Sequence, residues 1–285
     1  MEGTASRTAV PWWGTFSLDA ETGGRWDVGP STVWVYRSSR DWRVIHRPAD
    51  DPVAADPLAE RSAHTIPVPA EEMTALLDRE DDAVTTHRYP VESTDEEVVL
   101  EPVLADRPVV VRPEHPLSVL PGEVVTLYVS TPLWVRVVLA ASDRTLREVP
   151  SQRISDTWFG PSTREGELCY AVRVAGRLHL DRLPFRLHRA LTPLHVRNGG
   201  KDVLALERVQ LPTPHLALYR TPEDVLWTQA VTMSRREGTE GAVVDIKKGA
   251  PYETSDAVLV ERPRTPLEKG LFTSTFSAFG AFFGA

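Results

Sequence analysis

Arginine and histidine side chains that could hold an anion recur in the segment from residue 177 to residue 197. In an extended strand, residues two apart share a face, so Arg177 and His179 would lie side by side. A row of guanidinium and imidazole groups can bind a phosphate, a lipid headgroup or an acidic partner segment. The alternative is the solvated face of an antiparallel sheet, the more common use of a charged run. The candidate anion- or partner-binding residues are Arg177, His179, Arg186, His188, His195 and Arg197.

A second group of polar side chains lies in SDTWFGPSTREGELCY, between two predicted strands. The Gly160-Pro161 pair marks a turn, and an indole, two hydroxyls and a guanidinium beside it could form a recognition loop. The alternative is a long hairpin connection whose Trp158 and Phe159 close the end of a sandwich. The candidate recognition residues are Trp158, Ser162, Thr163 and Arg164.

Motifs of catalysis and cofactor binding are missing from the sequence. It contains no glycine-rich nucleotide loop, no nucleophile elbow and no calcium-binding loop. Cys169 is the only cysteine and lies among apolar residues, which indicates a packed side chain rather than a nucleophile. The histidines are scattered, without the spacing of a metal site. We therefore expect no catalytic residues, no metal and no cofactor.

The C-terminal segment GLFTSTFSAFGAFFGA carries five of the eight phenylalanines. If it were helical, four of them would form one stripe, although its Gly, Ser and Thr residues are poor helix formers. Such a stripe needs a receiving surface, and we expect a groove of this chain, of a second copy or of a partner, ahead of a membrane surface. The candidate docking residues are Phe272, Phe276, Phe279 and Phe283.

Charge is distributed unevenly along the chain. The net charge of −8 combines −13 between residues 48 and 106 with +6 between residues 173 and 220. With a pI of about 5.5 and no aromatic stripe interleaved with the basic residues, nucleic acid is not an expected partner. The single cysteine, the absence of a signal peptide and the absence of a long apolar run predict a cytoplasmic protein, with membrane association left open.

These side chains must be positioned by strands, because short β-branched and aromatic runs broken by Pro, Gly and Asp fill most of the chain. They include RLHL and FRLH in the basic segment, and an early hairpin turning at Gly23-Gly24. The only good helix before the tail is predicted at Pro69–Leu77. We predict an all-β, antiparallel sandwich-like fold with one or two β domains. The predicted regions are 1–105, with an acidic insertion around 48–82, then 106–262 and a tail, 263–285.

Several landmarks occur in an order that resembles one known family. They are PWWGTF, RWDVGPSTVWVYR, DWRV, RPVVVRP, LPGEVVTLYVSTPLWVRV, SDTWFGPSTREGELCYA and a late LW strand. This order is similar to that of the prokaryotic family catalogued as domain of unknown function 432, over about Trp12–Val231. The resemblance implies a soluble, β-rich protein without assigned catalytic residues. The family's association with genes for small mechanosensitive channels implies a role beside a membrane protein.

Three functions follow as expectations. The first is a non-enzymatic accessory or regulatory binding protein, associated with a membrane channel or another membrane-proximal partner. The second is a small-ligand-binding protein or enzyme with its site at the loop from Trp158 to Glu167. The third is a structural protein that self-assembles through its tail.

Overall fold

Strands account for about 55% of the computed structural model and helices for 7%, which confirms the all-β class. The structure describes residues 10–48, 62–78, 83–90, 95–160, 164, 166–237, 242–267, 271–274 and 279–280. The chain divides into two compact units that are discontinuous in sequence. Unit 1 comprises residues 1–102, 134–153 and 186–188, and unit 2 comprises residues 103–133, 154–185 and 189–285. The three regions predicted from the sequence are, in contrast, each one continuous stretch of the chain.

The elements of unit 1 are β1 (Gly14–Ser17), β2 (Thr22–Val28), β3 (Ser31–Arg37), β4 (Asp41–Arg47), β5 (Ser62–Thr65), α1 (Ala70–Leu77), β6 (Thr85–Pro90), β7 (Glu97–Val103), β11 (Trp134–Leu139) and β12 (Arg144–Pro150). They form a five-stranded sheet in the order β5-β2-β3-β4-β6 and a four-stranded sheet in the order β1-β7-β11-β12. Both sheets contribute to one apolar core, which includes Trp26 and Val44 from the first and Leu100 and Val137 from the second. Unit 1 is therefore a two-sheet sandwich.

Helix α1 begins after Pro69 and ends at Leu77, which confirms the predicted helix. Its Met73 and Leu76 pack with Trp34 and Ile45. These two strand residues alternate with neighbours that face the sandwich core, so β3 and β4 of the five-stranded sheet are buried on both faces. The described part of the acidic segment around 48–82 contains β5, which pairs with β2, and α1, which packs on the sheet. Residues 49–61 and 79–82 lie outside the described residues.

The predicted turn at Gly23-Gly24 is wrong, since both glycines lie within β2. The chain turns instead at Asp19–Glu21, where Glu21 has φ of 59° and the amide of Thr22 donates to the carbonyl of Asp19 at 3.2 Å. Crowding explains the glycines, because a Cβ at Gly24 would collide with the indole of Trp26. A glycine pair signals either a turn or a close approach, and the sequence alone does not separate the two.

The elements of unit 2 are β8 (Val109–Pro113), β9 (Leu117–Val119), β10 (Val124–Pro132), β13 (Ser155–Phe159), β14 (Glu167–Arg177), β15 (Arg189–Gly199), β16 (Leu204–Leu206), β17 (Arg208–Leu211), β18 (Leu218–Arg220), β19 (Leu226–Thr228), β20 (Val231–Arg236), β21 (Ala242–Ile246), β22 (Val258–Glu261), β23 (Leu271–Ser274) and β24 (Phe279–Gly280). Thirteen described strands join in one sheet, and β9 pairs with β16. Contrary to a purely antiparallel prediction, β8 pairs with β14, and β19 and β20 with β15, in parallel. Parallel neighbours need crossover connections, which short-range turn signals do not reveal.

The described parts of the tail are strands rather than a helix. Strand β23 pairs with β21, and β24 pairs with β17, which places Phe272 opposite Val244 and Phe279 opposite Val209. The helical stripe is therefore wrong at these two positions, in keeping with the poor helix propensity of the Gly, Ser and Thr residues. Phe276 and Phe283 lie outside the described residues.

Candidate anion-binding site

Arg177 and His179, the first pair of the predicted basic row, line one cleft of about 210 Å³ in unit 2. Arg177 is the last residue of β14, and His179 follows it in a connection. The same cleft is lined by His115 and by Glu114, whose carboxylate lies 3.8 Å from Nε of Arg177. This ion pair offsets part of the positive charge that an anion would use.

The second pair of the row does not have the predicted arrangement. Leu180–Arg182 form a 3-10 turn, and the segment from Leu183 to His188 contains no strand. Pro184 lies between the two predicted strands and has no amide proton to donate to a ladder. Arg186 and His188 belong to unit 1, where His188 is 2% exposed and packs against Gly29, whereas Phe185 is exposed. The prediction of two strands, RLHL and FRLH, with their basic side chains outward and Phe185 inward, is therefore wrong.

The third pair follows the prediction, because His195 and Arg197 alternate along β15 with the buried Leu194 and Val196. Nδ1 of His195 lies 2.9 Å from the hydroxyl of Thr126, and Arg197 is exposed. The six basic residues are thus spread over a cleft, a buried position and a strand. They do not form one binding row.

The predicted recognition loop is described only in part. Trp158 is a residue of β13 and is 41% exposed, while its indole contacts Gly166. Phe159 is buried, as the hairpin alternative predicts, and Arg164 is exposed. Ser162 and Thr163 lie outside the described residues.

Arg112 and Arg208, which the sequence analysis did not select, meet on neighbouring strands of unit 2. In β8, Val109 and Val111 are fully buried, so Arg112 points to the other face. Strand β17 begins with Arg208, whose neighbour Val209 pairs with Val111 in the antiparallel register. Continuing this register by one position sets Arg208 opposite Arg112. Two guanidinium groups that lie close together favour the binding of an anion.

These two arginines line one depression of about 340 Å³ on the sheet. Thr157 of β13 contributes a hydroxyl there, and the other lining residues are aliphatic: Val110, Ala171, Val172 and Val174. Among the described residues, no carboxylate lines this depression. It therefore combines two guanidinium donors and a hydroxyl with an apolar surface. This composition suits a ligand that has an anionic group and an apolar body.

An apolar cluster of Val110, Phe159 and Cys169 supports the same face. The guanidinium of Arg208 lies 5.1 Å from the ring centroid of Phe159, a cation–π contact that orients the arginine. The side-chain amide of Gln210 donates to the carboxylate of Glu167 at 2.5 Å and contacts Sγ of Cys169 at 3.4 Å. These contacts hold the β14 and β17 sides of the face together.

Cys169 is not suited to nucleophilic chemistry. Burial, together with the nearby Glu167 carboxylate, raises the pKa of its thiol to about 12. The thiol therefore stays protonated at neutral pH, and a thiol is a far weaker nucleophile than a thiolate. This agrees with the packed role expected from its neighbours. Elsewhere in the described part of the chain, no group of three His, Cys, Asp or Glu side chains could hold a metal ion.

Arg189 is a buried charge that the sequence analysis also missed. It is 3% exposed, its Nε donates to the hydroxyl of Ser130 at 2.9 Å, and its Nη2 donates to the Ser130 carbonyl. Burial lowers the pKa of its guanidinium to about 9. These bonds join β15 to β10, so the arginine has a structural role in the sheet.

Two strand-rich units and a single short helix among the described residues define an all-β protein. The chain belongs to the family described as protein of unknown function (DUF432), whose model matches residues 12–280. The match is longer than the Trp12–Val231 span predicted from the landmarks, and it includes the acidic segment and most of the tail. No curated protein and no solved structure matches the chain. In the described parts, no helix is both long and apolar enough to cross a membrane.

Proposed function

We propose that this protein acts by binding, without catalysis, and that Arg112 and Arg208 receive an anionic group of its ligand or partner. The convergence of the two arginines and the Thr157 hydroxyl on one depression with aliphatic walls carries this proposal. Guanidinium groups suit the task because they bind carboxylate and phosphate oxygens with two parallel hydrogen bonds. The high pKa of the Cys169 thiol supports the non-enzymatic reading.

The ligand class follows from the rest of the lining. Val110, Val172 and Val174 offer aliphatic surface beside the two charges, which favours an amphipathic anion over a free inorganic ion. A carboxylate carried by an apolar chain, or by an apolar segment of a protein, has this chemistry. An accessory protein would use the site to bind an apolar segment of its protein partner that carries a carboxylate. A cytoplasmic location and a membrane-proximal partner belong to this version of the proposal.

The small-ligand alternative at the loop between Trp158 and Glu167 shares this location. Thr157, one residue before Trp158, lines the depression, and Glu167 begins the strand on the other side of the loop. The described part of the hairpin therefore favours the same site under both hypotheses. The two hypotheses differ in whether the ligand is a free small molecule or a segment of a protein.

The test is calorimetric titration with dodecanoate and with dodecanol, which has the same chain but no charge. The variant that changes Arg112→Gln and Arg208→Gln together should bind dodecanoate about tenfold more weakly or worse, because a charge-assisted hydrogen bond contributes about 1.5–3 kcal/mol. Dodecanol should bind weakly and equally to both proteins. Unchanged dodecanoate affinity in the double variant would overturn the proposal.

A matched control removes two arginines elsewhere, Arg144→Gln and Arg153→Gln, both of which are exposed. This control has the same net charge as the test variant, so a general electrostatic effect would weaken dodecanoate binding in both. We expect the control to bind like the unmodified protein. An acidic, leucine-containing peptide as a second probe then separates the partner version from the small-ligand version, since only the former predicts tighter peptide binding.

A further inference from the structure

Thr157 and the two arginines lie on opposite sides of the candidate anion site. Tyr170 of β14 pairs with Asp156 of β13 on one edge and with Val109 of β8 on the other, and β17 follows β8. The strands therefore run in the order β13-β14-β8-β17. Adjacent strands lie about 4.8 Å apart, so two strand spacings, about 10 Å, separate Thr157 from Arg112 across the sheet. The site thus has one polar end on β13 and another on β8 and β17.

A bulge in β14 provides aliphatic surface between the two polar ends. The pairing of β14 with β8 shifts between Ala171 and Ala175, so that residues 172–174 lie beside a single residue of β8. In a regular strand, neighbouring side chains point to opposite faces, but Ala171 and Val172 both line the site. The extra residues of the bulge therefore widen the aliphatic surface, and bulges commonly re-aim side chains in this way beside functional sites.

Among the described residues, the middle of the site offers no polar side chain to a ligand. The lining residues there are Val110, Ala171, Val172 and Val174. A bound peptide would bring one polar amide per residue against these side chains, and a buried amide without a hydrogen-bond partner is unfavourable. An aliphatic chain carries no such group. The middle of the site therefore favours a small aliphatic ligand over a segment of a protein.

The hydroxyl of Thr157 is not needed for packing. Its neighbours on the same face are the buried Phe159, two residues along β13, and the buried Cys169, which lies opposite it on β14. A valine has the shape of threonine and would suit these apolar neighbours. In the part of the chain that the structure describes, the hydroxyl of Thr157 and the guanidinium of Arg112 are in no hydrogen bond or ion pair. Each of these two groups can therefore bind a ligand without breaking a contact within the protein.

We propose that Thr157 determines specificity at this site, and that the ligand is an aliphatic acid with an uncharged hydrogen-bonding group, such as a hydroxyl, at the end remote from its carboxylate. The inference rests on the proposed function, because Arg112 and Arg208 bind the carboxylate. The aliphatic chain of the ligand then crosses β14 and reaches β13. A threonine hydroxyl both donates and accepts a hydrogen bond, so it can pair with a hydroxyl of the ligand.

Calorimetric titration of the full chain with octanoate, decanoate and dodecanoate, each beside its ω-hydroxy counterpart, tests the ligand class. Several lengths are needed because the hydroxyl must reach Thr157. At the matching length the ω-hydroxy acid should bind about two- to tenfold more tightly than the plain acid, the usual net effect of one hydrogen bond. A dodecanoate with its hydroxyl in the middle of the chain should bind more weakly than dodecanoate, because that hydroxyl meets aliphatic side chains. The absence of an ω-hydroxyl preference at every length overturns the inference, and so does tighter binding of the acidic, leucine-containing peptide than of any acid.

Two variants assign the preference to the Thr157 hydroxyl. Thr157→Val keeps the branched shape and should reverse the preference, because the ω-hydroxyl of the ligand is left without a partner. Thr157→Ser keeps a hydroxyl and should retain the preference for the ω-hydroxy acid. Circular dichroism checks that both variants have the fold of the unmodified protein. A preference that survives Thr157→Val, or that disappears equally in both variants, contradicts the inference.

The arginine double variant separates this inference from the proposed function. Arg112→Gln and Arg208→Gln together should weaken the binding of plain and ω-hydroxy acids by the same factor, and should leave the ratio between them unchanged. If the arginine changes weaken binding but Thr157→Val does not alter the ratio, the anion site stands and only the specificity assignment fails. If the arginine double variant binds every acid as tightly as the unmodified protein does, the proposed function itself fails.

Discussion

The guanidinium of Arg208 lies 5.1 Å from the ring centroid of Phe159, so one arginine covers an apolar cluster and also lines the candidate anion site. Arg112, its neighbour on the adjacent strand, is exposed and has only the role of lining the candidate anion site. The two positions should therefore respond differently to the loss of their charge. This difference allows the site to be tested without knowledge of its ligand.

Arg112→Gln should stabilise the ligand-free protein. The change removes a like charge opposite Arg208, and cross-strand charge pairs contribute about 0.2–1 kcal/mol. Urea denaturation at low ionic strength should show the gain, and added salt should reduce it because salt screens exposed charges. Arg208→Gln should increase the stability by less or not at all, since it also loses the contact with Phe159. Destabilisation by Arg112→Gln would mean that the two charges are already compensated.

His46 should make unit 1 sensitive to acid. Its ring is 8% exposed, and burial, with a contribution from Arg147, lowers its pKa from 6.5 to about 4. The folded protein therefore favours the neutral ring, and this contribution to stability is complete above pH 6.5 and is lost as the pH falls towards 4. Between pH 7 and pH 4.5 the loss should be about 2 kcal/mol.

The variant His46→Gln should lack this part of the pH dependence when the free energy of unfolding is measured at several pH values. Burial also lowers the pKa of His87, which is less buried. His87→Gln should therefore reduce the acid sensitivity by a smaller amount. Identical pH profiles for His46→Gln and the unmodified protein would contradict the assignment.

Gly24→Ala should destabilise unit 1 by about 1–3 kcal/mol, the usual cost of overpacking a core. The new Cβ would meet the ring of Trp26, which is fully buried and has no room to move. Gly176→Ala is the matched control in unit 2, since a Cβ there makes ordinary contacts with Leu127 and Val111. Thermal unfolding should show little change for the control, within about 1 kcal/mol. Equal effects of the two changes would rule out crowding by Trp26 as the cause.

Removal of residues 270–285 should lower the melting temperature. The deletion removes β23 from β21 and β24 from β17, which exposes the backbone groups of two strands. Each kcal/mol lost should lower the melting temperature by about 2–4 °C. Liposome binding should not change, because the expected receiving surface is protein. A truncated protein with unchanged melting but reduced liposome binding would favour a membrane-surface role for the tail.

Local signals in the sequence predicted most elements and few of the site contacts. The helix at Pro69–Leu77 could be predicted because its acidic first turn and apolar spacing lie within one short segment. The alternation of Val111 with Arg112, and of Val209 with Arg208, is equally local and places each arginine on a face. Their juxtaposition depends on a register between strands almost a hundred residues apart, which no local pattern contains.

The basic row failed for a related reason. A charge run shows its periodicity only if the backbone stays extended, and the 3-10 turn at Leu180–Arg182 and the change of unit at Arg186 break it. His188 is buried although its position in the run predicted exposure. Pro184 lies just before the predicted strand FRLH, a position where proline is compatible with a strand, so the sequence offered no clear signal against it.

The discontinuity of unit 1 has a consequence for biosynthesis. Strands β11 and β12 supply Val135, Val137 and Val149 to its core, so this core cannot be completed before about residue 150 has left the ribosome. At about 5–20 residues per second, the nascent chain spends several seconds with the inner face of its first five-stranded sheet uncovered. Fragments that end near residue 105 or 133 should aggregate for the same reason. Coexpression of residues 134–188 should prevent this aggregation, and coexpression of a shorter piece should not.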